Sequence, residues 1–257
     1  MLFFTVAVLC FSLTSSSPLT NRIINGTLAP FVPWIANILT EYKSVPIPYF
    51  PQASYISIER DCGGSIIAPN WVLTARHCIF THENKPLSEE FHVSVGSNNL
   101  YSGQVIKVID IVVFNSDPED DLALLKLESD VKIIPIKVQY EDNLHYEGRL
   151  ATIYGWGKTE LFNSTNLLRK TNVQLIDREQ CGQKRFICFD PSLTHSNACS
   201  GDSGGPMIVQ ENGETRLIGV AHAVYVTKDG SCAEGLGKPS LYVSTAYYGS
   251  WIQSVIG

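Results

Sequence analysis

The sequence predicts an all-β fold with a closing helix, and three observations carry that prediction. Stretches rich in β-branched and aromatic residues, at 34–40 (WIANILT), 65–73 (SIIAPNWVL) and 91–111, are broken by turn signals such as Gly96 and Ser102-Gly103. One helical pattern stands out, at 247–255 (YYGSWIQSV), where Trp251, Ile252 and Val255 are spaced to dock one face. The chain has 257 residues, 44% hydrophobic and 17% charged, so it can bury a sizeable core at a length that all-β barrels reach as one unit.

Taken in order, the chain opens on LFFTVAVLCFSL (residues 2–13) followed by Thr14-Ser15-Ser16-Ser17. This apolar run is too short to span a bilayer and matches the apolar core of a secretory signal peptide, here 1–17, which predicts a secreted, extracellular protein. Residues 34–40 read as a first strand. Residues 41–61 carry Pro46, Pro48 and Pro51, and proline removes a ladder donor, so this segment is expected to be an extended surface loop, with room for edge strands. Residues 65–73 read as one buried strand. Seven cysteines are present, and setting aside Cys10 in the signal segment leaves six. In an oxidising compartment six cysteines form up to three bridges, with fifteen pairings that spacing alone cannot resolve. No CxxC pair suggests zinc, and no Asp or Glu lies between Ser94 and Ile109 to build a calcium site. The net charge of −6 argues against a nucleic-acid partner, and no Lys/Arg-rich amphipathic stretch suggests a membrane surface.

The stretch with the most chemistry in it is Cys199-Ser200-Gly201-Asp202-Ser203-Gly204-Gly205-Pro206. Glycines at this density suit a tight turn that holds a serine with backbone N–H groups aimed at one point, the arrangement an acyl-transfer nucleophile needs. Upstream lie Thr74-Ala75-Arg76-His77-Cys78 and Asp121-Leu122-Ala123-Leu124-Leu125, giving the order His, Asp, Ser. Of the neighbouring Asp120 and Asp121, the one followed by Leu-Ala-Leu-Leu fits the motif, and Asp120 is expected to be a solvated neighbour. With these three blocks the chain resembles the chymotrypsin-like serine peptidases, from about Ile23 to the C-terminus. An α/β-hydrolase reading fails, because the serine lacks a Gly-x-Ser-x-Gly elbow and its partners precede it.

The resemblance implies two six-stranded antiparallel Greek-key barrels, about 23–128 and 129–257, with the active site between them and residues 128–138 crossing from one to the other. It implies bridges Cys62–Cys78, Cys181–Cys188 and Cys199–Cys232. His77 would be the general base, Asp121 its orienting carboxylate and Ser203 the nucleophile, with the N–H groups of Gly201 and Ser203 as oxyanion hole. Gly155-Trp156-Gly157 matches a block that packs near the nucleophile loop. Residues 18–22 would be an activation propeptide. A trypsin-like protease would cut after Arg22, and the new Ile23 ammonium would pair with Asp202. No cofactor or metal is implied.

Three residues match the primary specificity pocket: Asn197 at its base, and Val224 and Ser240 on its walls where deep-pocket relatives carry glycine. This predicts an elastase-like preference for small or medium apolar residues, with chymotrypsin-like aromatic preference as the alternative. Two departures bear on activity. Arg76 stands where the family has alanine and is placed to compete for Asp121, or to point to solvent. His222-Ala223 falls where the family commonly has Ser-Trp, and His222 is placed to supply the serine's hydrogen bond. A different class of function, a non-catalytic homologue that binds a partner, usually loses a triad residue, and none is lost here. Expected partners are protein or peptide substrates, an activating protease and protein protease inhibitors, with a monomer as the default state. Asn25-Gly26-Thr27 and Asn163-Ser164-Thr165 are glycosylation sequons.

Overall fold

The computed structural model describes residues 23–47, 50–142, 145–158, 166–228, 231–232 and 237–257, and for 41–61 the backbone pairing alone. The signal and propeptide segments, Arg22 and Asn163 lie outside the described residues.

The first half contains β1 (Thr27–Leu28), β2 (Ile35–Ile47), β3 (Phe50–Ala68), β4 (Trp71–Thr74), β5 (His92–Val95), β6 (Gln104–Val113) and β7 (Ala123–Leu127). Six of these close a barrel in the order β2-β3-β4-β7-β6-β5. Its strands bury side chains on both faces, among them Ile35, Ile38, Ile66, Val72, Leu73 and Leu124, all at 1% exposure or less. Each such side chain contributes about 1.5–3 kcal/mol on burial, and this packing holds the strand ends that carry the site.

The second half supplies β8 (Lys137–Val138), β9 (Leu150–Gly155), β10 (Arg169–Gln174), β11 (Phe186–Phe189), β12 (Pro206–Glu211), β13 (Glu214–Ala223) and β14 (Ser240–Ser244), with α1 (Pro191–Thr194) and α2 (Gly249–Ile256). Six strands run β10-β9-β12-β13-β14-β11 in one antiparallel sheet. A single bridge between Leu175 and Phe189 links the end of β10 back to β11, so these six also come round on themselves. Two short strands join from outside: β8 pairs in parallel with β13, and β1 pairs with β10. The first described residues are thus bound to the second sheet rather than the first, and Ile24 bridges Asn197 there. The all-β architecture with a C-terminal helix agrees with the sequence prediction, the helix beginning two residues later than expected.

Two local predictions are corrected. Residues 41–47 and 50–61 are paired strand, the edge-strand part of the expectation, rather than an extended loop. They extend β2 and β3 into a long hairpin, with Tyr42 opposite Ile58 and Pro46 opposite Ser54. Beyond Leu39, β2 no longer pairs with β5, so the ribbon has open edges, and a proline facing an open edge costs no ladder bond. Residues 65–73 are not one strand either. Pro69-Asn70 turns the chain, and β3 pairs back on β4 with Ser65 opposite Leu73.

Candidate active site

Adjacent strand ends bring the first two residues together. β4 pairs with β7, with Thr74 opposite Ala123, so the residues just past β4 and just before β7 are neighbours. His77 lies in a 3-10 turn, Arg76–Cys78, clamped by the Cys62–Cys78 bridge. Its backbone N–H donates to Oδ1 of Asp121 at 2.7 Å, and its Nδ1 lies 2.7 Å from Oδ2. Asp121 is 1% exposed. Burial pushes its carboxyl up, and hydrogen bonds from His222 and His77 more than reverse this, holding it well below the usual carboxylate range.

The loop between α1 and β12 presents Ser203. Two consecutive turns shape it, through Asp202 N–H to Cys199 O at 3.0 Å and Gly205 N–H to Asp202 O at 3.0 Å. Gly204 has φ +71°, and a Cβ there would run into Thr74 Oγ1 and lie 2.5 Å from Gly63 O, so only glycine fits. The loop is tied to both barrels: Gly63 N–H donates to Ser203 O at 2.7 Å, and Gly204 N–H to Ala221 O at 2.9 Å. Among the described residues, the Ser203 hydroxyl and the N–H groups of Gly201 and Ser203 take no hydrogen-bond partner, and no bond yet joins His77 to Ser203.

Asp202 points the other way, into a fully buried cradle. Its carboxylate accepts from Gly157 N–H at 2.8 Å and Cys199 N–H at 2.9 Å. Burial, only partly offset by these bonds, pushes its pKa up to about 7. Ile23, at 1% exposure, packs in the second hydrophobic cluster with Ala198 and Tyr242.

Of the three proposed pocket residues, Val224 lines a small space beside Ser203, with Ala198, Ala223 and Leu241, of about 20 Å³. That is room for about one water molecule. Asn197 and Ser240 do not line it. Both are fully buried, Ser240 Oγ donating to Asn197 Oδ1 and Asn197 Nδ2 donating to Cys232 O, each at 2.6 Å. A roomier hollow of about 430 Å³, between Tyr146, Ile176, Arg178 and Ile187, includes the bridge cysteine Cys181 but none of the predicted triad or specificity-pocket residues. The three disulfides are paired as the resemblance implied.

The departures resolve in geometry. Arg76 is buried, donates to Asn84 Oδ1 and lies 5.4 Å over the Phe80 ring, with no contact to Asp121 among the described residues. His222 Nδ1 lies 2.6 Å from Asp121 Oδ2. Asp120 is corrected from a solvated neighbour to a buried brace. It accepts from Arg185 at 2.6 Å, Tyr248 at 2.5 Å and Asn115 at 2.5 Å, tying the Asp121 segment to the approach to β11 and to the residue preceding α2. Neither Arg185 nor Tyr248 carried a sequence signal, because their link to Asp120 spans 65 and 128 positions.

A buried aspartate orienting a histidine between two six-stranded β units, beside a serine on a glycine-rich loop, defines the class of two-barrel serine hydrolases. The Trypsin family model matches residues 41–252, and the chain belongs to that family. It is also similar to a solved structure titled HL collagenase, at 29% identity and a TM-score of 0.70, covering 91% of this chain and 99% of that one.

Proposed function

We propose that the protein is a secreted serine endopeptidase, made as a zymogen and activated by cleavage after Arg22. The observation that carries this reading is the His77–Asp121 pair at 2.7 Å, facing a loop whose Ser203 hydroxyl and two N–H donors are left unpartnered. His77 takes the Ser203 proton as the hydroxyl attacks a peptide carbonyl, and later returns it to the leaving amine. Asp121 fixes the tautomer with Nε2 as the acceptor and stabilises the imidazolium. The N–H groups of Gly201 and Ser203 receive the oxyanion, each worth about 3–4 kcal/mol. Water then hydrolyses the acyl-enzyme. The His77–Ser203 hydrogen bond closes when substrate docks, as such bonds often do.

Cleavage after Arg22 gives Ile23 an ammonium group, and Asp202 is the buried carboxylate that lacks a cationic partner among the described residues. The narrow space beside Ser203 and the side chain of Val224 support cleavage after small or medium apolar residues. An aromatic side chain would need Val224 and its neighbours to move. The collagenase title of the similar structure supports a protein substrate, and the signal-like segment with three disulfides supports secretion. The sequon at exposed Asn25 is a glycan site in this reading.

The test is cleavage-site profiling on a random peptide mixture, with protein cut after Arg22 and a Ser203→Ala control. Cuts after small apolar residues, absent in the control, support the proposal. Cuts after aromatic residues, Lys or Arg keep the triad and overturn the pocket. No cuts from folded, processed protein would mean a binding homologue.

A further inference from the structure

His222 sits where β13 breaks register against β14. Ala221 pairs with Tyr242 and Ala223 with Leu241, which leaves His222 as the extra residue of a bulge. A bulge re-aims the side chain it leaves over. Here it sets Nδ1 of His222 against Oδ2 of Asp121 at 2.6 Å, the same oxygen that takes Nδ1 of His77 at 2.7 Å. The His222 ring is stacked on Phe186 with centroids 4.9 Å apart and planes at 18°. Two imidazoles, 6.4 Å between centroids, therefore share one buried carboxylate.

We propose that His222 is a positioning residue that carries a second titrating proton into the triad, so that Asp121 supports one imidazolium at a time and protonation of His222 disables His77 as a base. The inference rests on the peptidase reading for its consequence. One carboxylate balances one positive charge. While His222 is neutral, its Nδ1–H orients Asp121, and the negative charge is available for the imidazolium that His77 becomes as Ser203 loses its proton. Once His222 is itself protonated, charging His77 sets two positive charges against one buried carboxylate, which raises the barrier. The two titrations are coupled and belong to the pair.

Among the described residues, the other groups around the ring do not supply a second anion at hydrogen-bond distance. Arg185, next to Phe186, is committed to Asp120, and Arg76, before His77, is committed to Asn84. β14 brings Leu241 and the phenol of Tyr242, and Asp202 lines the same small space but accepts from Gly157 and Cys199.

Two readouts test this. The first is the pH profile of kcat/KM for protein cut after Arg22, as wild type, His222→Ser and His222→Ala. The wild-type acid limb is expected to steepen from slope one to slope two on logarithmic axes, and His222→Ser to keep slope one throughout. His222→Ala should lose at least about tenfold at the alkaline plateau, the worth of a hydrogen bond to a charged acceptor, with part restored in His222→Ser. The second is proton NMR of the uncut Ser203→Ala chain, which needs no activity. Two far-downfield Nδ1 protons are expected, one of them lost with His222→Ser, and His77 should then titrate in a single step. Slope one with and without His222, or a His77 titration indifferent to His222, overturns the proposal. If the cut protein is inactive the peptidase reading fails, and the NMR titration still decides whether the two histidines are coupled.

Discussion

Asp202→Asn in the uncut chain should change the pH dependence of stability in a defined direction. The Asp202 carboxyl is fully buried, and its folded pKa is about 7 against 3.8 for an unperturbed aspartate. The folded state therefore takes up a proton that the unfolded state releases, and stability falls as pH rises from about 4 to about 7. The difference of roughly three pKa units corresponds to about 4 kcal/mol lost over that window. Asparagine is neutral throughout and has no such loss. The Tm of Asp202→Asn minus that of wild type should therefore grow from near zero at pH 4 to about 10 °C at pH 8, at 2–4 °C per kcal/mol for a chain of this size. Differential scanning fluorimetry on both proteins, with disulfides intact, measures it, and other titrating groups cancel in the difference. After cleavage at Arg22 the sign should invert. With the Ile23 ammonium as partner, the carboxylate becomes the favoured form, and Asp202→Asn should then destabilise at pH 8. Parallel Tm curves for the two uncut proteins between pH 4 and pH 8 would refute the reasoning.

Two further substitutions probe the surroundings of the triad. Arg76→Met should leave kcat within about twofold, since the guanidinium lies against Asn84 and Phe80 rather than Asp121. It should leave stability unchanged or raise it by about 1–3 kcal/mol, because a buried cation whose partners among the described residues are neutral is replaced by an apolar stem. A clear rise or fall in kcat would show that Arg76 does reach the triad. Asp120→Ala should cost about 3 kcal/mol in urea unfolding by leaving Arg185 and Tyr248 without their acceptor, and should lower kcat by loosening the segment that carries Asp121. A loss under 0.5 kcal/mol would mean the brace is not structural.

The parts of the site that were legible in the sequence are those whose chemistry constrains residue type locally. A serine in a glycine-rich turn, a histidine beside a clamping cysteine and an aspartate at the mouth of an apolar strand each stand out within a few positions, and the fold brings the histidine and the aspartate together. What was not legible depends on register and on distant partners. Nothing near His222 announces a bulge, because the extra residue exists only relative to Tyr242 and Leu241 across the ladder. Asp120 reads like any polar neighbour until Arg185 and Tyr248 arrive from the other half of the chain. Pro46 and Pro51 read as strand breakers in the sequence, yet past Leu39 the ribbon of β2 and β3 has open edges where a proline costs no ladder bond.

Gly155-Trp156-Gly157 joins both kinds of reading. As a sequence block it signals only proximity to the nucleophile loop. The structure gives the reason for two glycines: a Cβ on Gly155 would run into Oδ1 of Asp202, and one on Gly157 would lie 2.6 Å from its Cγ. The carboxylate thus occupies the volume that two side chains would fill, and Gly157 N–H bonds it there at 2.8 Å. A cradle closed this tightly excludes water, which is what drives the Asp202 pKa upward in the uncut chain. The same exclusion would make the Ile23 ammonium of the proposed activation effective, because opposite charges attract most strongly where solvent cannot screen them. Exchange of Gly155 or Gly157 for alanine would displace Asp202, and with it the turn that sets Ser203, so the two glycines belong to the candidate site as much as His77, Asp121 and Ser203 do.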